Sequence, residues 1–218
     1  MPLFSDLLKA AGSAFDTAVK KGGKEARDWY RQTAQTVKGV NANDIMRSDP
    51  SRLLMSNRLD KSSIGRMVMF FYNPKTKKDL PYYDRFPLIF PIGPSQTVKG
   101  AFLGINLHYL PYFARARLMD ALYVTANSPR TKEQRLRISY DILVSSTRFA
   151  LFRPCLKMYL YTHVASRFFV VKPEEWDMVL CLPVERFESG GKGGGIVGAN
   201  VSKARVWAES MRQVRARW

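Results

Sequence analysis

Few side chains of this sequence are able to do acid–base, nucleophilic or metal chemistry, and their spacing is poor for it. His108 and His163 are its two histidines. Each stands beside bulky apolar or aromatic residues, and both read as core or interface side chains rather than ligands. Cys155 in "PCLKMYL" and Cys181 in "MVLCLPV" lack metal-ligand spacing and read as buried free thiols, which fits a reducing compartment. Asp79, Asp84 and Asp120 are the carboxylates able in principle to gather round a metal. Asp79 and Asp84 lie in a lysine-rich turn, where ion pairing or capping explains them more simply. The sequence holds no HExxH, no paired two-cysteine zinc motif, no GxSxG and no clustered carboxylate set. The chain is expected not to be an enzyme and to need no metal or other cofactor.

The chemistry that remains is that of charge. Lys and Arg number 35 against 18 Asp and Glu, leaving a net charge of +17. An excess of this size calls for an anionic partner, and nucleic acid ranks ahead of a lipid surface because no basic amphipathic membrane helix dominates. The excess is not confined to a tail. Residues 1–66 carry twelve basic and seven acidic side chains, 67–139 eleven and four, and 140–218 twelve and seven. It therefore decorates a folded surface. In "NPKTKKDLPYYDRFPLIFPI", Asn73 to Ile92, lysines and an arginine stand among prolines and aromatic rings. Cations neutralise phosphates while flat rings offer contact area at low entropic cost. Lys75, Lys77, Lys78 and Arg85 are read as a rim facing an anion, and Arg115, Arg130, Lys132, Arg135 and Arg137 as further nucleic-acid contacts. Double-stranded DNA is the expected anion, read through its phosphates.

These side chains need elements to hold them. Phe4, Leu7, Leu8, Ala11, Phe15 and Val19 recur at helical spacing, as do Ala26, Trp29, Tyr30, Ala34 and Val37. Residues 1–64 are read as a helical arm whose apolar side chains, Phe4, Leu8 and Phe15 among them, dock on the domain or on another protein. "NANDIM" reads as a loop. The following "SDPSRLLMSNRL" reads as a short helix capped by Ser48 or Asp49 with Pro50 in its first turn.

A core domain is expected over 65–188. The runs "RMVMFFY", "RFPLIFPI" and "VKGAFLGINLHYL" predict three strands, and a helix starts at Pro111. The fold class is α+β: a small antiparallel SH3-like barrel or curled sheet with helical additions. The basic block from Ser128 predicts alternating helical segments ending in a strand at "RFFVV", and "KPEEW" opens another helix. "ESGGKGGGIVGAN" lacks the lysine–serine/threonine ending of a phosphate loop, so 189–199 is read as a flexible glycine linker. Residues 200–218 follow as an amphipathic helix whose stripe, including Trp207, Met211 and Val214, is expected to bind a partner's groove. The N-terminus is a poor signal peptide, and no apolar run approaches membrane-spanning length.

Three stretches, "YNPKTKKDLPYYDRFPLIFPI", "FLGINLHYLP" and "PEEWDMVLCLPVERFE", together resemble a family of virion structural proteins of contractile-tailed bacteriophages described as DNA-end protectors or head-completion proteins. The similarity runs over about residues 66–188 and is carried by Tyr72, Pro74, Lys75, Leu80 to Asp84, Phe86 to Leu88, Phe102 to Gly104, Asn106 to Pro111, Trp176, Leu182, Pro183 and Glu185 to Phe187. Ala101 stands where glycine is expected. The resemblance implies a protein that is assembled in the host cytoplasm, travels in the virion and binds DNA or other virion structural proteins. A tail or baseplate adaptor with no DNA role is the alternative, and a nuclease or toxin on an SH3-like barrel a weaker third.

Overall fold

The computed structural model describes residues 39–125, 143–144, 150–192 and 194–215, together with Gln32 and Gln35. Five strands form one antiparallel sheet: β1 (Met67–Met69), β3 (Leu88–Pro94), β4 (Ala101–Asn106), β5 (Leu156–Leu160) and β6 (Phe169–Val171), in the order β5-β4-β3-β1-β6. A two-stranded antiparallel ribbon pairs β2 (Tyr82–Asp84) with β7 (Phe187–Ser189). The helices used below are α1 (Ala42–Ser48), α2 (Tyr112–Thr125), α3 (Trp176–Val179) and α4 (Lys203–Arg215).

Alternation explains why the strand runs are apolar throughout. Met67, Met69, Leu88, Phe90 and Ile105 point into one buried cluster, closed by Trp176, Val206 and others. Val68, Phe70, Ile89, Phe102 and Tyr159 point into a second, with Phe168 and Tyr72. Both faces of the central strands β1 and β3 are covered, so no polar alternation is left to read there. The curled sheet of the α+β class is present. Among the described residues β5 and β6 are its outermost strands, β6 bridged on its outer side only by Leu53 at Phe169, and it does not close into an SH3-like barrel.

Three local readings change. "ANDIMRS" is helical as α1, because the Asn41 side chain accepts from the Asp44 amide at 3.0 Å and caps it. Asp49 caps only a single 3-10 turn at Pro50–Arg52. "LKMYL", inside the block expected to be helical, is strand β5, pairing Leu103 with Met158 and Gly104 with Lys157. The described part of the expected arm docks on its own domain. Ala42 and Ile45 enter the main core, and Arg52 holds Glu175 with two hydrogen bonds, Nη1 to Oε2 at 2.5 Å and Nη2 to Oε1 at 2.9 Å.

The C-terminal helix also packs at home. Val206, Ser210 and Val214 form its buried face, Met211 packs against the main core, and α4 lies along the turns Leu107–Tyr109 and Ala150–Cys155. Trp207 Nε1 donates to the His108 carbonyl at 2.8 Å, and its ring meets Tyr112 edge-on at 5.1 Å. Of the side chains expected on a partner, Val214 is thus buried within the chain, while Trp207 and Met211 are half-buried against it. A helix this short is marginal alone in water, and the adjacent apolar groove is the nearest place to bury its stripe. Trp207→Ala is expected to cost about 2 kcal/mol, since half the indole and one hydrogen bond are lost. Urea unfolding of the variant beside wild type checks this, and an unchanged midpoint would return Trp207 to the surface.

Candidate nucleic-acid interface

The rim turn is built by its prolines and a 3-10 turn at Lys77–Asp79, in which the Leu80 amide donates to the Lys77 carbonyl at 3.1 Å. Pro74 is buried beneath it. The turn leads directly into β2, and β7 leads out into the glycine-rich segment. That segment returns to the turn instead of hanging as a linker. Gly190 N–H donates to the Pro81 carbonyl at 3.3 Å, and Lys192 N–H to the Leu80 carbonyl at 3.1 Å. The Gly198 amide donates to the Ser189 carbonyl at 2.8 Å, and the Ser189 amide to the Ala199 carbonyl at 2.7 Å, which closes the loop at its base. Glycine is required for this approach, because a Cβ at Gly190 would lie 2.2 Å from the Leu80 oxygen and 2.5 Å from the Lys77 oxygen.

The closure brings cations from distant parts of the chain together. Lys75, Lys78 and Lys192 are exposed, and half-buried Lys77 holds its Nζ 5.7 Å from the centre of the Tyr83 ring. At the other end of the ribbon the Arg85 amide donates to the Arg186 carbonyl, placing exposed Arg186 beside Arg85. Arg85 Nη1 donates to the Tyr72 carbonyl at 2.8 Å, and its Nε lies 4.0 Å from Glu188 Oε1. Tyr83 donates its hydroxyl to Glu188 Oε2 at 2.6 Å, and burial together with that carboxylate pushes its phenol up to about 12. Tyr82 is likewise raised to about 12, by burial and then by Glu209, against the opposing pull of Arg205 and Arg212. The exposed arginines of α4 therefore flank the ribbon as well. Both tyrosines stay neutral near pH 7, so this surface offers fixed positive charge and neutral rings rather than a titrating group.

Arg115 is corrected. Its side chain is wholly buried and paired with Glu185, donating Nε to the Leu110 carbonyl at 2.7 Å and Nη1 to the Leu180 carbonyl at 2.9 Å. Lys203 Nζ stands 3.4 Å from the other oxygen of Glu185. A guanidinium so enclosed has no donor for a phosphate. Arg130, Lys132, Arg135 and Arg137, and also Phe4, Leu8 and Phe15, lie outside the described residues.

His108 and Asp84 sit in a polar pocket of the core, and His163 is half-buried outside it. His108 Nδ1 is 2.9 Å from Asp84 Oδ2, which also accepts from Asn106 Nδ2 at 3.0 Å, while Asp84 Oδ1 accepts from the Phe86 amide. The His108 and Asp84 side chains are 0% and 1% exposed. The arrangement fastens β2 to the end of β4 and has no opening for a substrate. His163 Nδ1 lies 2.8 Å from the Asn73 carbonyl and braces the start of the rim turn. Cys155 and Cys181 are buried thiols, and burial pushes the Cys155 thiol up to about 12. Among the described residues no three His, Cys, Asp or Glu side chains gather as metal ligands.

Lys192, Arg186 and the exposed arginines of α4 are residues of this surface that sequence reasoning did not assign to it. The available signal was a lysine set between glycines, which a tether does not need.

One family model matches, that of the phage T4 terminal DNA protecting protein, over residues 24–210. No curated protein and no solved structure matches the chain.

Proposed function

Because the chain belongs to the family of the phage T4 terminal DNA protecting protein, we propose that it covers the end of a linear double-stranded DNA in the phage particle, holding it through the β2–β7 surface. Lys75, Lys77, Lys78, Lys192, Arg186 and the arginines of α4 contact phosphates, with Arg85 supporting them from the ribbon. The observation that carries the reading is the gathering of exposed cations from three segments around one ribbon, those of the rim turn, Arg186, Lys192 and Arg205 within the matched residues. The chain acts by occupying the DNA and not by turning over a substrate. Fixed cations without a groove-reading element bind phosphates and tolerate any sequence. Association with the virion follows from binding a packaged end. Among the described residues no helix is long and apolar enough to cross a membrane.

Replacing Lys75, Lys77 and Lys78 together by glutamine is expected to flatten the slope of log affinity against log salt by about two to three units, at about 0.9 per phosphate contact. Titration of one labelled duplex at several salt concentrations measures it. An unchanged slope removes the rim from the interface.

A further inference from the structure

The glycine-rich loop carries one feature that phosphate binding does not use. At its tip Ile196 is 80% exposed and Val197 42% exposed. The tip is held in place: the Ala199 amide donates to the Ile196 carbonyl at 3.1 Å, and the Gly194 amide to the Gly191 carbonyl at 3.1 Å. It also adjoins the lysines. A Cβ at Gly191 would lie 2.8 Å from Val197 Cγ2 and 3.6 Å from the Lys78 Cα, so Val197 and the rim turn crowd round the same glycine. An isoleucine thus stands uncovered amid positive charge, where solvation alone favours a polar residue.

A cationic surface cannot tell the end of a duplex from its middle, because phosphates are spaced alike in both. Besides its terminal phosphate and hydroxyl groups, what the end presents and the middle does not is the uncovered apolar face of its last base pair. An aliphatic side chain laid on that face buries apolar area, whereas at an internal step it would first have to unstack two base pairs. We propose that Ile196 and Val197 cover the outer face of the terminal base pair while Lys75, Lys78 and Lys192 hold the adjoining phosphates. The loop then supplies the preference for ends that the charge cannot. This inference rests on the DNA-end reading and adds the residues that recognise the end.

The test compares the full-length protein on a short blunt-ended duplex and on a covalently closed circle of the same sequence, at one salt concentration. Wild type is expected to prefer the linear form. Ile196→Ser with Val197→Ser is expected to lose about tenfold or more in affinity for the linear form, and to bind the circle as wild type does, since both side chains project from a loop and the lysines remain. Ile196→Leu, which keeps the apolar area, is expected to retain the preference. If the double serine variant still prefers ends, the tip is not the recognition element and the end-protection reading stands without it. If wild type itself shows no preference for the linear form, that reading falls and this inference with it. A tip that serves a neighbouring protein would give the first of these two results.

Discussion

Arg115→Ala is expected to lower the stability of the chain by about 3–5 kcal/mol, because it leaves Glu185 as a buried charge whose remaining salt bridge is to half-buried Lys203. The Leu110 and Leu180 carbonyls lose their donors in the same step. Burial by itself would raise the Glu185 carboxyl, but Arg115, His108 and Lys203 outweigh it and hold it below the ordinary carboxylate value. A carboxyl depressed in the folded state stabilises fully at pH above its unfolded value and loses that contribution as pH falls through the folded value. The gap between variant and wild type is therefore widest near neutrality and narrows in acid. Urea unfolding at neutral and acidic pH measures both parts. The salt slope for DNA, taken at a temperature where the variant is folded, is expected to equal that of wild type. A flatter slope with unimpaired stability would restore Arg115 as a phosphate contact.

Gly190→Ala is expected to separate the glycine-rich loop from the rim turn, at a cost of about 2–4 kcal/mol. The new Cβ meets two backbone carbonyl oxygens and the Leu80 carbonyl carbon at 2.8 Å, none of which can rotate away as a side-chain end would. Relief requires moving the loop, which breaks the bonds from Gly190 and Lys192 to Pro81 and Leu80. Lys192 then leaves the lysines of the rim, and the salt slope falls by about one unit. Hydrogen exchange at the Lys192 amide reports the opening directly, since a released loop exchanges well before global unfolding. Retained protection there, with wild-type DNA binding, would show that the turn yields instead of the loop.

How far the fold was legible depended on whether a segment's role is local. β1, β3 and β4 were readable from apolar runs bounded by turn residues, and α4 from its stripe. β5 was not, because Lys157 interrupts "LKMYL", and cations in a basic block suggest a solvated helix face. In the fold that lysine lays its Nζ 3.8 Å from the centre of the Tyr109 ring and loses much of its water. Arg115 looked like the other arginines because Glu185, its partner, is 70 residues away. The glycine-rich loop looked like a tether for a similar reason. Glycine allows both mobility and the closest backbone approach, and only the carbonyls of Lys77 and Leu80 decide between them. The rim lysines were legible as a cluster, but not the loop and helix that enlarge it.

The pairing of Tyr83 with Glu188 spans 105 residues. At a bacterial synthesis rate of about 5–20 residues per second, that separation corresponds to roughly 5–20 s on the ribosome. During that time β2 has no partner strand, and its lysine turn has no loop to close on. A nascent or interrupted chain thus displays the lysines without the surface that arranges them. On the function proposed above, the ability to hold DNA would switch on late in translation, and incomplete chains would be poor competitors for DNA ends.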